Sequence, residues 1–165
     1  MAKMYPVAGC KFFIGSAAIE DQDDDFIATD FDAVTWVEVK GWVTMGASGD
    51  AATLVTSDQI GNKRTKKAKG TRNAGSMENV FDVVADDPGQ LALVAAEQTD
   101  DNYPFRVVYN DTPPTGVAPT PSESLFIGMV MSRSRAGGGA NDPRRMNSTV
   151  EINSNVVAVP ASTGA

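Results

Sequence analysis

Carboxylates and amines are the side chains through which this chain could do chemistry, and both are bunched. Glu20 to Asp32 (EDQDDDFIATDFD) holds seven carboxylates and no base, while Lys63 to Arg72 (KRTKKAKGTR) holds six bases and no acid. Asp21, Asp23 and Asp25 copy the D-x-D-x-D opening of a calcium loop. The copy then fails: Phe26 stands where that loop needs glycine, and Asp32 where a bidentate Glu belongs. No metal site is assigned. Asp21, Asp23, Asp24, Asp25, Asp30 and Asp32 are read as an acidic loop that is solvated or faces a partner. Two carboxylates could run glycoside hydrolysis, yet nothing selects a pair from the 21 acids. Lys63, Arg64, Lys66, Lys67, Lys69 and Arg72 have no interleaved aromatics and sit in an acidic chain, so nucleic acid is their least favoured partner. Docking onto acidic surface of other copies fits them better, because complementary charge sets register and speeds encounter.

Other chemistries find little support. The sequence has no histidine, which removes the commonest general base, the usual partner of a nucleophilic Ser or Cys, and the most frequent metal ligand. Cys10 is the single cysteine, so an internal disulfide and a cysteine-built zinc site are both excluded. It lies in an apolar run and reads as a small buried hydrophobe. Gly137-Gly138-Gly139 is not followed by Lys-Ser or Lys-Thr and is no phosphate cradle. No catalytic residue and no cofactor are assigned, and the chain is read as a non-enzyme. A net charge of −7 argues against coating nucleic acid. No apolar run approaches the roughly 20 residues that span a bilayer, and no apolar leader opens the chain, so a soluble product of the cytoplasm is expected.

The elements that must carry these runs are short strands. Cys10–Gly15 is the first, followed by the acidic loop. Trp36–Thr44 reads as one strand with Val37, Val39, Gly41 and Val43 on one face and Trp36, Glu38, Lys40 and Trp42 on the other. Tryptophans at both ends of the polar face indicate a face that meets something. Thr53–Ser57 leads into the basic loop, and Met77–Ala85 into a helix. There Asp87 can cap, Pro88 suits the first helical position and Gln90 stands where a capping box wants Glu or Gln. The apolar helix body, Leu91 to Gln98, must be covered by a sheet. Tyr103–Asn110 alternates, Asp111–Pro121 is a proline-rich loop, Ser124–Met131 is a doubly buried central strand, and Thr149–Val159 is the last strand. Six or seven closely spaced strands and one helix predict a mainly β fold: an antiparallel β-sandwich or barrel with one short helix packed on it and long charged loops. Residues 1–165 form one domain, with mobile ends at 1–8 and 160–165.

In this order the chain resembles the tail tube proteins (major tail proteins) of long, non-contractile bacteriophage tails. The segments that carry the resemblance are Val39-Lys40-Gly41-Trp42, the long charged loop after it, and Phe81-Asp82-Val83. Asp86-Asp87-Pro88-Gly89-Gln90 entering a single helix is the closest, followed by Phe105-Arg106-Val107, Leu125 to Val130, and Val150-Glu151-Ile152. The resemblance implies a virion protein whose hexameric rings stack into a hollow tube that conducts DNA to the host. It further implies tape measure and tail terminator proteins as partners. An acidic lumen would fit the charge, since it repels phosphate and lets DNA slide. The family's long early loop reaches a neighbouring ring, which here would be Asp58 to Ser76. The acidic run at Glu20–Asp32 has no counterpart in that pattern, and its role rests on charge alone: a dock for the basic loop or a DNA-repelling surface. The rival reading is a carbohydrate- or host-receptor-binding β-sandwich with Trp36 and Trp42 as its platform.

Overall fold

Alternation places Phe12 and Ile14 on the same side of the first strand, and both are buried. That strand, β1 (Lys11–Gly15), sits inside the main sheet of a computed structural model that describes residues 3–164. Residues 1, 2 and 165 of the two expected mobile ends lie outside the described residues. The remaining strands are β2 (Trp36–Val39), β3 (Trp42–Thr44), β4 (Ala51–Ser57), β5 (Lys66–Asn73), β6 (Ser76–Asp82), β7 (Tyr103–Val108), β8 (Glu123–Ala136), β9 (Arg145–Ile152) and β10 (Val157–Val159). One helix, α1 (Pro88–Glu97), and a short 3-10 turn at Ala28–Phe31 complete the set. All pairings are antiparallel. The main sheet runs β2-β1-β7-β8-β9-β6-β3 with β10 added alongside β8, and β4-β5 forms a separate hairpin. The mainly β fold with one packed helix is as expected.

The inner face of the sheet is an aromatic spine. Phe12 stacks on Phe105 at 5.7 Å between ring centres, and Phe105 stacks on Phe126 at 5.6 Å. Phe81 closes the far end at 6.0 Å from Phe12. Each of these rings is essentially inaccessible to water, and burying one contributes about 2–3 kcal/mol. Leu93 and Ala96 of α1 complete this core, so the helix covers the sheet as its apolar body requires. A second, smaller core lies on the opposite face, where Leu125 and Ile127 of β8 meet Phe26 and Phe31. Because Phe126 points one way and its neighbours the other, β8 is covered on both faces from Ser124 to Val130, as read from its sequence, whereas Met131, read as part of the buried stretch, is exposed.

The expected single strand at Trp36–Thr44 is instead two strands at opposite ends of the sheet path. β2 pairs with β1, and β3 pairs with β6. Gly41 makes the break, at φ +78° and with no room for a Cβ, which would lie 2.5 Å from the carbonyl oxygen of Asp82. The break also reverses the alternation: Trp42 joins Val37 and Val39 at the inner core, and Val43 turns outward. The two tryptophans therefore do not share a face. The hydrogen-bonded ladder does not close into a barrel, yet its two ends are one continuous segment joined through Lys40 and Gly41.

The start of α1 fills that seam. Asp87 caps the helix by accepting from the Gln90 backbone N–H at 3.0 Å, and the same oxygen accepts from the Lys40 N–H at 3.0 Å. Gln90 does not complete a capping box. Its side-chain amide donates to the carbonyls of Lys40 and Asp82, each at 2.8 Å, and its oxygen accepts from the Val84 N–H at 3.1 Å. Gly89 lets the helix approach this closely, since a Cβ there would fall 2.1 Å from the Glu38 carbonyl oxygen. The strand read at Thr149–Val159 is likewise interrupted, ending at Ile152 and resuming as β10.

Candidate functional site

The acidic run is held down by its two phenylalanines. Phe26 and Phe31 pack 5.9 Å apart into the outer core, and Phe31 stacks on Trp36 at 6.4 Å. Asn155, just before β10, clamps the Phe26 backbone from both sides: its oxygen accepts from the Phe26 N–H at 2.8 Å and its amide donates to the Phe26 carbonyl at 3.0 Å. Within the 3-10 turn Asp30 accepts from the Ile27 N–H at 2.9 Å. Asp21, Asp23, Asp24, Asp25 and Asp32 stay exposed. None of the run's carboxylates forms a salt bridge among the described residues. Nor do three His, Cys, Asp or Glu side chains among those residues converge as a metal site requires. The run is thus a sheet-bound ridge with apolar anchors below and free carboxylates above. The anchors were detectable as two aromatics five residues apart in an otherwise polar stretch.

The basic run is a strand where the sequence reads as a loop. Lys63 and Arg64 lie in the turn between β4 and β5, and Lys66, Lys67, Lys69 and Arg72 lie on β5 itself. The hairpin stands away from the main sheet, and except for half-buried Gly70 every residue of its two strands is exposed. Lys66 opposes Ser57 and Lys67 opposes Thr56, so bases point to both faces of the arm. A register shift around Gly70 twists its base. Leu54 and Val55 are open to solvent along its length, and Ile60 is fully exposed at its tip. Only Arg72 has an acidic partner, Asp50 at 3.3 Å, among the described residues.

These placements bring one part of each run together. A cleft of about 530 Å³ has Asp21–Asp25 on one wall and Asp50, Thr71 and Arg72 on the other. The other five bases, Lys63 to Lys69, do not line this cleft. Beside the acidic ridge, Arg106 of β7 lies over the Phe13 ring at 4.3 Å and the Trp36 ring at 5.0 Å, with Glu123 at 3.9 Å. Burial lowers the guanidinium's pKa, and Glu123 partly offsets the shift. Trp36 is engaged by Phe31 and Arg106, whereas Trp42 packs on Phe12 at 5.3 Å and donates its indole N–H to Asn79 at 3.1 Å. Sequence reasoning missed Arg106, Asn155 and Asn79, whose roles depend on partners far away in the chain.

No protein-family model matches the chain, and no curated protein sequence does. Solved structures do match over nearly the whole length. The SPP1 tail tube shares 14% identity at a TM-score of 0.64, with 94% of this chain and 80% of that one covered. A chain of the PVC sheath/tube terminator, from an extracellular contractile injection system in the extended state, shares 8% at 0.67, covering 96% and 98%. A chain of the anti-feeding prophage baseplate shares 9% at 0.63, covering 92% and 91%. The fold is therefore shared with a phage tail tube and with chains of the PVC terminator and the anti-feeding prophage baseplate, and at these identities the likeness is one of fold.

Proposed function

We propose that the chain is a structural virion protein that self-assembles into stacked hexameric rings, forming the tube of a long, non-contractile phage tail. In that role the tube is a conduit for DNA ejection, and the protein has no catalytic task. It is made in the host cytoplasm and meets tape measure and tail terminator proteins at the ends of the tube. DNA passes through the lumen without specific contacts, helped by the net charge of −7.

The observation that carries the reading is the β4–β5 arm. A two-stranded hairpin alone in water is marginally stable at best, and this one presents Leu54, Val55, Ile60 and five unpaired bases to solvent. Such an arm is completed by contact with another surface, and Lys63, Arg64, Lys66, Lys67 and Lys69 select an acidic one. On a chain of net charge −7, another copy can supply acidic surface for it. The fold likeness to assembled tubes supports the same reading.

Purified protein should elongate with concentration into hollow tubes of uniform diameter, seen by negative-stain microscopy and as growing light scattering. A protein that remains monomeric at every concentration and salt would overturn the proposal.

A further inference from the structure

A second basic surface lies on the helix side of the sheet, far in sequence from the arm. A groove of about 520 Å³ runs between α1 and the far ends of β8 and β9. Val83, Leu91 and Val94 supply an apolar floor, and Arg133, Arg135 and Arg144 supply the basic lining, while no carboxylate lines the groove. Leu91 is 55% exposed, whereas Leu93 and Ala96 of the same helix are buried in the core. A bulge in β8 aims the arginines here. The register shifts between Val130 and Ser132, after which Arg135 stands opposite inward-facing Met146 and Arg133 opposite buried Ser148. The neighbouring Arg145 is taken by Asp82 at 3.3 Å. Arg133, Arg135 and Arg144 form no salt bridge among the described residues. Three unpaired guanidinia around an apolar floor, on a chain of net charge −7, call for an occupant that is both acidic and apolar.

We infer that this groove receives the acidic ridge of a second copy of the chain. The ridge has the matching composition. Asp23, Asp24 and Asp25 are exposed without a basic partner, and beside them Ile27 is 59% exposed. The two surfaces lie on opposite sides of the sheet, since α1 covers the inner core and the ridge covers the outer one. Ridge and groove therefore cannot meet within one chain. Joined between copies they make a heterologous contact, the kind that closes rings or propagates filaments. The inference rests on the self-assembly reading above and assigns it a specific contact, distinct from that of the arm. Arginine suits it better than lysine because each guanidinium can hold a carboxylate through two parallel hydrogen bonds.

Charge exchange tests it. R133E/R135E/R144E and D23K/D24K/D25K are each expected to stay folded by circular dichroism and to elongate roughly tenfold more slowly than wild type, or not at all. Mixed in equal amounts they are expected to regain elongation, because each copy then offers what the other's altered surface needs. The neutral variant R133Q/R135Q/R144Q should lose elongation without restoring it in the mixture. Wild-type tubes accompanied by equally fast tubes from the groove variant would overturn the groove contact while leaving the tube reading intact. Failure of the wild type to elongate would instead overturn the tube reading. A mixture that stays monomeric overturns the ridge as occupant. So does binding of duplex DNA that is lost in the arginine variant while elongation is unchanged.

Discussion

Single polar side chains close this fold where hydrogen bonding between strands does not. Gln90 is 5% exposed and spends its amide on three backbone groups from two segments, Lys40 between β2 and β3, and Asp82 and Val84 around the end of β6. Removing it leaves a buried N–H and two carbonyls without partners. Gln90→Ala is therefore expected to cost about 3 kcal/mol, lowering Tm by roughly 6–12 °C at this chain length in thermal denaturation followed by circular dichroism. A loss below about 1 kcal/mol would mean that the core alone holds the seam. Asn79 plays a comparable part, since its oxygen accepts from the Trp42 indole at 3.1 Å and the Gly46 N–H at 3.0 Å. Asn155 does the same for the acidic ridge. Asn155→Ala should release the Phe26 backbone, seen as faster amide exchange confined to the ridge.

At the scale of elements, the two charged runs differ in how they are held. The ridge is bolted through Phe26 and Phe31, so Phe31→Ala should cost about 3–4 kcal/mol, as for other buried rings. It should also unseat Gln22 to Ala33 as a unit. The arm has no such anchor. Replacing Lys63, Arg64, Lys66 and Lys67 with Glu should abolish tubes yet leave the unfolding free energy of the monomer within about 1 kcal/mol of wild type, because these side chains are exposed. Tubes of normal length from that variant would remove the arm from the assembly. These contrasts mark where sequence stops informing. The start of α1 was legible because Asp87 and Pro88 act locally, but the side-chain partners of Gln90 lie up to 50 residues away. Trp36–Thr44 alternates without a flaw, so only Gly41 hinted at the break that turned Trp42 inward. The basic run read as a loop because lysines and glycine disfavour strands, whereas its pairing with Ala51–Ser57 makes it one. Phe26 and Phe31 stand out as aromatics in a polar stretch, but the surface they pack on, Leu125 and Ile127 of β8, lies about 100 residues away and leaves no local mark.

For the whole molecule, the charges of the two runs are left almost entirely unpaired within one chain. Arg72 and Asp50 are the one arm pairing that a chain makes with itself among the described residues. Association through exposed charges weakens as the screening length falls from about 8 Å near physiological salt to about 3 Å at 1 M. Tube growth should accordingly slow severalfold across that range in scattering assays, and a rate indifferent to salt would point to apolar contact at Leu54, Val55 and Ile60 as the driver.

The junction at Lys40–Gly41 has a mechanical corollary. Because both ends of the main sheet belong to one segment, the inner strands cannot slide past one another without stretching two peptide units that the start of α1 already grips. A subunit built this way bends little. In a flexible filament of such subunits, curvature would be absorbed by the arms and grooves between copies, and the amides of Lys40 and Asp82 should rank among the slowest to exchange in both free and assembled protein.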